Sequence, residues 1–598
     1  MTRFHPMNHQ NILAGIRQQM QEQGVSAYII PSADPHMSEY LPEYYKGISF
    51  ASGFTGSAGT LVITPDFAGL WTDARYFEQA QEQLAGTGFE LVKLKVQHMP
   101  EYIAWLGARL KKGDTIAFDG RLLSLQLAQL LQQQLGTRGI QLASQHDFLN
   151  AVWADRPALP TEPAFLLDEK ITGKTLEDKL AEVRSALQQA GADYHLISSL
   201  DDIAWLFNVR GSDVKANPVV LSFALVSQEQ AVLFIDAQKL SQESKDRLAK
   251  AGVTLQAYEA VAQALSQLPA NDTIFLDPKR TCQAMYEQLP SQIGVVQDTN
   301  PTTVLKAVKN DVEAANTRIT MVKDGVALTR FFKWLEENLG KTEITEMSVA
   351  DKLREFRAEQ EGFVGESFDT IAGYRAHGAL PHYKATPESN SALQPEGLFL
   401  VDSGGQYQTG TTDITRVVTL GNPTEEEKTD YTLVLKGTID GSTARFPKGT
   451  RGYQIDAITR KPLWDHARQY GHGTGHGVGF FLNVHEGPQV FNATPTPIDI
   501  ELGMITSIEP GIYRPGRYGI RIENLVLTVP DEVNEFAEFY TFETLTLCFI
   551  DTAPINKNLL EPHHIQWLNN YHQLVVEKLG PHLTADELVW LKEKAKAI

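Results

Sequence analysis

The chain has 598 residues, 42% of them apolar and 21% charged, and a formal net charge of −20. That length exceeds what one hydrophobic core supports, so about two to four domains are expected. The composition excludes fibrous, collagen-like and broadly disordered classes, and so acidic a surface argues against nucleic acid and anionic membrane as partners.

The first residues, MTRFHPMNHQNILAGIRQQMQEQG, lack the apolar core of a secretory signal. No run of about 18 apolar residues follows that could span a bilayer. Two cysteines, Cys282 and Cys548, provide neither a disulfide framework nor a thiolate cluster, so a reducing cytoplasm is the expected location. An internal repeat then organises the first half. AGLWTDARYFEQAQEQL, carrying Asp73, recurs as AVLFIDAQKLSQESKDRL, carrying Asp236, and DTIAFDGRL from Asp114 recurs as DTIFLDPKR from Asp272. Both copies alternate helix-period stretches with short apolar runs such as TLVITP and VVLSFALV, which predicts two similar α/β domains in succession. Prolines cluster at the joint, in DRPALPTEP. A single helix-compatible stretch runs from about Val304 to Leu339. Beyond it, LFLVDSGGQYQTGTTDITRVVTL and MITSIEPGIYRPGRYGIRIENLVLTV read as long hairpins on an antiparallel sheet, giving an α+β domain from residue 314 to the end. The closing PHHIQWLNNYHQLVVEKL returns to helical spacing.

The chemistry gathers on the two hairpins. If the first turns between Tyr407 and Gln408, Asp402 lies directly opposite Asp413, and opposed residues have Cβ atoms about 4.5–5.5 Å apart. If the second is centred on Gly516, Glu509 lies opposite Glu523. Between them YGHGTGHGVGFFLNVHEGP supplies His472, His476 and His485 among glycines. Carboxylates so close repel unless protonated or bridged by a cation. Four carboxylates and a hydroxide against two divalent ions leave a nearly neutral cluster, whereas one ion leaves a buried excess of negative charge. Oxygen-rich ligation with one imidazole suits manganese, cobalt or zinc, and the carboxylate excess leans to manganese. Taken singly, each feature has a plainer explanation, since Asp after a strand is usually a turn former. There is also no HExxH helix. Together and in this order, the features point to a two-metal hydrolase.

VDSGGQYQTGTTDITR, HGTGHGVGFFLNVHEGP, SIEPGIY, GIRIENLVL and SFDTIAGYRAHGALPHY resemble the Xaa-Pro aminopeptidases, within the creatinase, prolidase and methionine aminopeptidase superfamily. FASGFTGSAGTLVITPDFAGLWTDARYF and WLNNYH extend the resemblance over the long, three-domain cytosolic type. It implies creatinase-like α/β domains at 1–157 and 158–313 and a pita-bread α+β catalytic domain at 314–598 with a helical C-terminal extension. It implies a metalloaminopeptidase holding two divalent ions on Asp402, Asp413, His476, Glu509 and Glu523. A metal-bridging hydroxide would release the residue before a proline in second position, with Glu509 handling the proton. His382 would stand on the substrate side, His485 would stabilise the tetrahedral intermediate or help protonate the leaving group, His472 would line the prolyl pocket, and Arg521 would orient carboxylates from behind. A homodimer acting on peptides is implied as well. Prolidase, which cuts only the Xaa-Pro dipeptide, is the alternative within the same chemistry. Metal-free creatinase-like hydrolysis and a non-catalytic peptide-binding module are less favoured, because all five ligand types are present.

Overall fold

Period-two apolar runs in the front half pair into two sheets of one topology. In the computed structural model, which describes residues 8–96 and 99–598, the first sheet contains β1 (Ala27–Pro31), β2 (Thr60–Ile63), β3 (Ala68–Thr72), β4 (Glu90–Lys93), β5 (Thr115–Phe118) and β6 (Gln141–Ala143). The second contains β7 (Tyr194–Ile197), β8 (Ser222–Ser227), β9 (Ala231–Ile235), β10 (Val253–Gln256), β11 (Thr273–Leu276) and β12 (Gly294–Gln297). Their spatial orders are β4-β3-β2-β1-β5-β6 and β10-β9-β8-β7-β11-β12, the same path strand for strand. In each, the first three strands are antiparallel and the outer additions parallel. Alternate residues of β1 enter opposite cores, Tyr28 and Ile30 on one face and Ala27 and Ile29 on the other, as expected of a strand covered on both sides. The repeat read from Asp73/Asp236 and Asp114/Asp272 is therefore a duplicated domain.

By its contacts, the rear unit runs from Thr303 to Ile598 and also takes in Asp168–Gly173 and Ala216–Pro218. The single helix expected from Val304 to Leu339 is two, Pro301–Ala307 and Asp311–Asn338. The break has a local cause. Asn310 caps the second helix, its side chain accepting the Glu313 N–H while the Glu313 carboxylate accepts the Asn310 N–H, a reciprocal pair that fixes a helix start. Lys309 meanwhile donates its backbone N–H to Gly503.

The hairpins do not share one antiparallel sheet, as the sequence suggested. Leu398–Ser403 lies between Ile371–Tyr374 and Ile414–Thr419 in one three-stranded sheet, whereas Gly405–Tyr407 and Gly410–Thr411 join Phe363–Glu366 in another. Ile505–Ile508, Asn524–Val533 and Gly475–Gly477 belong to a six-stranded sheet, while Gly511–Arg514 and Tyr518–Arg521 form their own ribbon. Each hairpin thus crosses between sheets partway along its length. A continuous core of strand residues such as Phe399, Val401, Ile520 and Leu525 with helical Phe331, Val434 and Leu568 holds these pieces together.

Candidate metal centre

The candidate ligands lie at the crossings. The second hairpin has the expected register: Ile508 pairs Asn524 and Gly511 pairs Arg521, so Glu509 faces Glu523 in the gap between the ladders. In the first hairpin Asp402 pairs Thr415, and Gln406 pairs Thr411, so Asp413 is displaced two residues from the position opposite Asp402. The two aspartates are diagonal neighbours rather than a direct pair, because the turn is Gln408–Thr409, one residue later than its glycines suggested. A hydrogen bond from Thr411 Oγ1 to Gln406 Oε1 (2.8 Å) and one from the Gly405 N–H to Thr412 Oγ1 (2.8 Å) hold that register.

Ligand atoms of Asp413, His476 and Glu523 all fall within 4.8 Å of one another. His476 Nε2 is 3.4 Å from Asp413 Oδ2 and 3.5 Å from Glu509 Oε1. Its Nδ1 is 2.9 Å from the Gly477 carbonyl, which can only accept. The neutral ring therefore carries its proton on Nδ1 and turns the Nε2 lone pair toward the carboxylates, the tautomer a cation needs. Ser507 Oγ accepts the His476 N–H (3.0 Å) and donates to Glu509 Oε1 (3.2 Å).

Asp402 accepts from Arg521 through Oδ2 (2.6 Å), while its buried Oδ1 has no hydrogen-bond partner. Arg521 Nε donates to Thr415 Oγ1 (3.2 Å), whose own proton goes to Glu523 Oε2 (2.8 Å). Without cations the cluster resists ionisation. Burial, reinforced by Asp413, holds Asp402 above the usual carboxylate range despite Arg521. Burial, offset by His476, pushes Glu509 up to about 7. Burial with Asp413, Glu509 and Asp402 raises Glu523 well above its ordinary value. His476 is raised to about 9, the bond to Asp413 and the charge of Glu509 outweighing burial. Crowded carboxylates, an unpartnered buried oxygen and an imidazole that turns Nε2 toward them fit divalent cations, whose binding would displace the Nε2 proton.

The other predicted residues surround this group. The ring of His485 packs edge-on against that of His476, with centroids 4.4 Å apart. His472 donates from Nδ1 to the Gly473 carbonyl (2.7 Å), so its Nε2 accepts from Tyr513 OH (2.6 Å), and that phenol oxygen accepts from Arg521 (2.7 Å). His382 is half-buried on the loop after Arg375–Ala379, beside Pro381, whose carbonyl accepts from Arg521 (3.4 Å). That loop is pinned by the buried Glu346 carboxylate, which accepts from Tyr374 N (2.8 Å), Ser391 N (2.9 Å), Tyr383 OH (2.8 Å) and His377 Nδ1 (2.8 Å). Thr415, Ser507, Tyr513 and Glu346 were not singled out from the sequence. Hydroxyls and a helix-start glutamate carry no motif, and only their partners reveal them.

A second group, Asp440 with His563 and His564, has metal-like spacing. His564 Nδ1 accepts the Glu561 N–H, so its Nε2 holds the proton that Asp440 accepts (2.9 Å) and that imidazole has no lone pair left for a cation. It is a helix cap.

Two matches to the Creatinase/Prolidase N-terminal domain, at residues 13–152 and 155–313, precede a match to Metallopeptidase family M24 at 315–530 and one to the C-terminal region of peptidase M24 at 538–598. The fold and these matches are those of an M24 metallopeptidase. Probable Xaa-Pro aminopeptidase P of Neurospora crassa is 39% identical, covering 98% of this chain and 88% of the relative. Aminopeptidase P2 of Arabidopsis thaliana is 39% identical, covering 97% and 87%. The crystal structure of X-prolyl aminopeptidase from Caenorhabditis elegans, described as a cytosolic enzyme with a di-nuclear active site, superposes with a TM-score of 0.95 at 37% identity, covering 99% of this chain and all of that one. The chain belongs to the Xaa-Pro aminopeptidase P family.

Proposed function

We propose that this chain is an Xaa-Pro aminopeptidase, which removes the first residue from peptides with proline in second position. The observation that carries the reading is the convergence of Asp413, His476 and Glu523 beside Asp402 and Glu509, in a chain alike over its whole length to proteins of that name. In this reading those five residues hold two divalent cations, and the excess of carboxylate over imidazole favours manganese over cobalt or zinc. Bound there, the cations would supply Lewis acidity, easing deprotonation of water and polarising the scissile carbonyl.

The remaining work falls to side chains. Glu509 accepts a proton from the attacking water. The prolyl nitrogen of the substrate has no hydrogen, and as it leaves it must gain one, so an acid has to stand beside it. His485, in ring contact with His476, and His382 are assigned to that side of the site. His472 lines the prolyl pocket, and Arg521, hydrogen-bonded to Asp402, fixes the direction of that carboxylate. Homodimerisation and a cytoplasmic location belong to the same reading on family resemblance. Among the described residues no helix is long and apolar enough to cross a membrane, and both cysteines are buried and unpaired.

Metal analysis with assays on Xaa-Pro and Xaa-Pro-Xaa peptides tests the proposal. Wild type is expected to cleave the tripeptide, and Asp413→Ala to lose metal and activity together. Hydrolysis confined to the dipeptide would instead indicate prolidase, and full activity after exhaustive chelation would remove the metal from the mechanism.

A further inference from the structure

The C-terminal WLNNYH segment has no part in the chemistry above, yet it reaches the back of the ligand strands. Arg416 follows Thr415 and is buried on the opposite face of that strand. Its guanidinium donates to the carbonyls of Glu523 (2.6 Å), Thr415 (3.1 Å), Phe549 (3.0 Å) and Cys548 (3.0 Å), to Asn524 Oδ1 (2.8 Å) and to Tyr571 OH (3.0 Å). All these oxygens are neutral. A buried cation held this way depends on each acceptor staying in place. Tyr571 stands on the helix Pro562–Leu579. Its hydroxyl donates to the Thr546 carbonyl (2.7 Å) and receives the Cys548 N–H (3.3 Å) as well as Arg416. His572, the next residue, accepts the Ile550 N–H through Nε2 (3.0 Å). The two side chains therefore seize residues 546–550, which close over the guanidinium.

Glu523 is consequently held at two ends. Thr415 Oγ1 fixes the carboxylate from within the site, and Arg416 fixes the carbonyl from behind. We infer that Tyr571, acting through Arg416, is a positioning residue that aims the Glu523 carboxylate and so sets the cation affinity of the centre. This rests on the reading of Glu523 as a cation ligand. It gives the C-terminal region a function in the active site without contact to substrate.

The test uses full-length wild type, Tyr571→Phe, Arg416→Lys and Asp413→Ala, stripped of metal and titrated with Mn(II) by calorimetry. Circular dichroism and the melting temperature of each metal-free protein are recorded alongside. Tyr571→Phe keeps the ring and removes only the hydroxyl. It is expected to stay folded, still bind two ions, and bind them about 10-fold more weakly. The Mn(II) concentration for half-maximal activity should rise by the same factor, with kcat at saturating metal within about twofold of wild type. Arg416→Lys keeps the charge, loses the fork, and should weaken binding further; it carries the test should the first variant fail to fold. Mn(II) affinity within twofold of wild type, with only a lowered melting temperature, would reduce Tyr571 to a packing residue and overturn the inference. Wild type binding no more Mn(II) than Asp413→Ala would instead overturn the metal reading beneath it.

Discussion

Replacing Thr415 by valine tests the ligand network at its least obvious member. Valine keeps the β-branched shape that suits the strand and deletes one oxygen. That oxygen accepts from Arg521 Nε at 3.2 Å and donates to Glu523 Oε2 at 2.8 Å. Because the guanidinium donates to this oxygen, the hydroxyl proton turns away from Arg521, and its short bond goes to the Glu523 carboxylate. A hydrogen bond to a charged group contributes about 1.5–3 kcal/mol, most of it the cost of leaving a buried partner unsatisfied. Glu523 is 1% exposed and Arg521 2%, so water cannot take the lost place. Spread over the carboxylate's freedom to swing, that is a loss of roughly 10- to 100-fold in cation affinity, the usual size for a residue behind a ligand. Equilibrium dialysis of the metal-free variant against Mn(II) measures it directly, and activity against total Mn(II) should shift in parallel. A dissociation constant within twofold of wild type would mean that Glu523 is held by the strands alone, and the network argument would fail.

Two further outcomes are expected. A Cβ added at Gly404 would lie 2.0 Å from the Thr412 carbonyl oxygen and 2.2 Å from Ser367 Oγ, so Gly404→Ala must part the first hairpin beside Asp402 and Asp413. It should cost about 1–3 kcal/mol and lower metal content; a melting curve and metal content like those of wild type would count against the crossing geometry. His572 is held down to about 4 by burial, with the charge of Arg416 adding. Neutral in the fold and protonated when unfolded, it favours the native state fully above about pH 6.5, and that contribution, about 3 kcal/mol, is lost as pH falls toward 4. Urea unfolding followed across that window should flatten in His572→Gln, and parallel curves for the two proteins would refute the assignment.

Much of this architecture was legible in the chain because it repeats or alternates. The duplicated sheets follow from recurring apolar runs, and the second hairpin's register follows from its turn, where Gly516 takes the left-handed φ of +72° that glycine favours. The first hairpin misled because Gly404 and Gly405 read as loop. Gly405 is in fact strand, paired with Glu366, and Gly404 is needed for close approach, not for a turn. The break before Asp311 was hidden by a sequence helical on both sides, and only the Asn310–Glu313 pair marks it. Thr415, Tyr513 and Arg416 were invisible for a different reason. Their partners lie about a hundred residues away or on another strand, and one sequence holds no trace of such a meeting.

Why the carboxylates converge at all follows from the interrupted ladders. Along an unbroken strand, successive residues on one face are held apart by the backbone rise, and a direct cross-strand pair brings only two groups together. Gathering four requires two hairpins to bend toward each other, and bending requires backbone groups to leave the ladder and find other partners. They do. The Glu509 N–H donates to the Thr474 carbonyl (2.8 Å), the Glu523 N–H to the Thr415 carbonyl (3.1 Å), and the Gly404 carbonyl accepts from Ser367 N (3.0 Å). Gly475 permits the closest of these approaches, since a Cβ there would lie 1.8 Å from the Ser507 carbonyl oxygen. The candidate ligand residues are thus fixed in part by bonds that reach outside their own hairpin, from Glu509 to Thr474 and, across the two hairpins, from Glu523 to Thr415. A change at a glycine or threonine of this crossing should therefore disturb cation binding together with the local register of its hairpin.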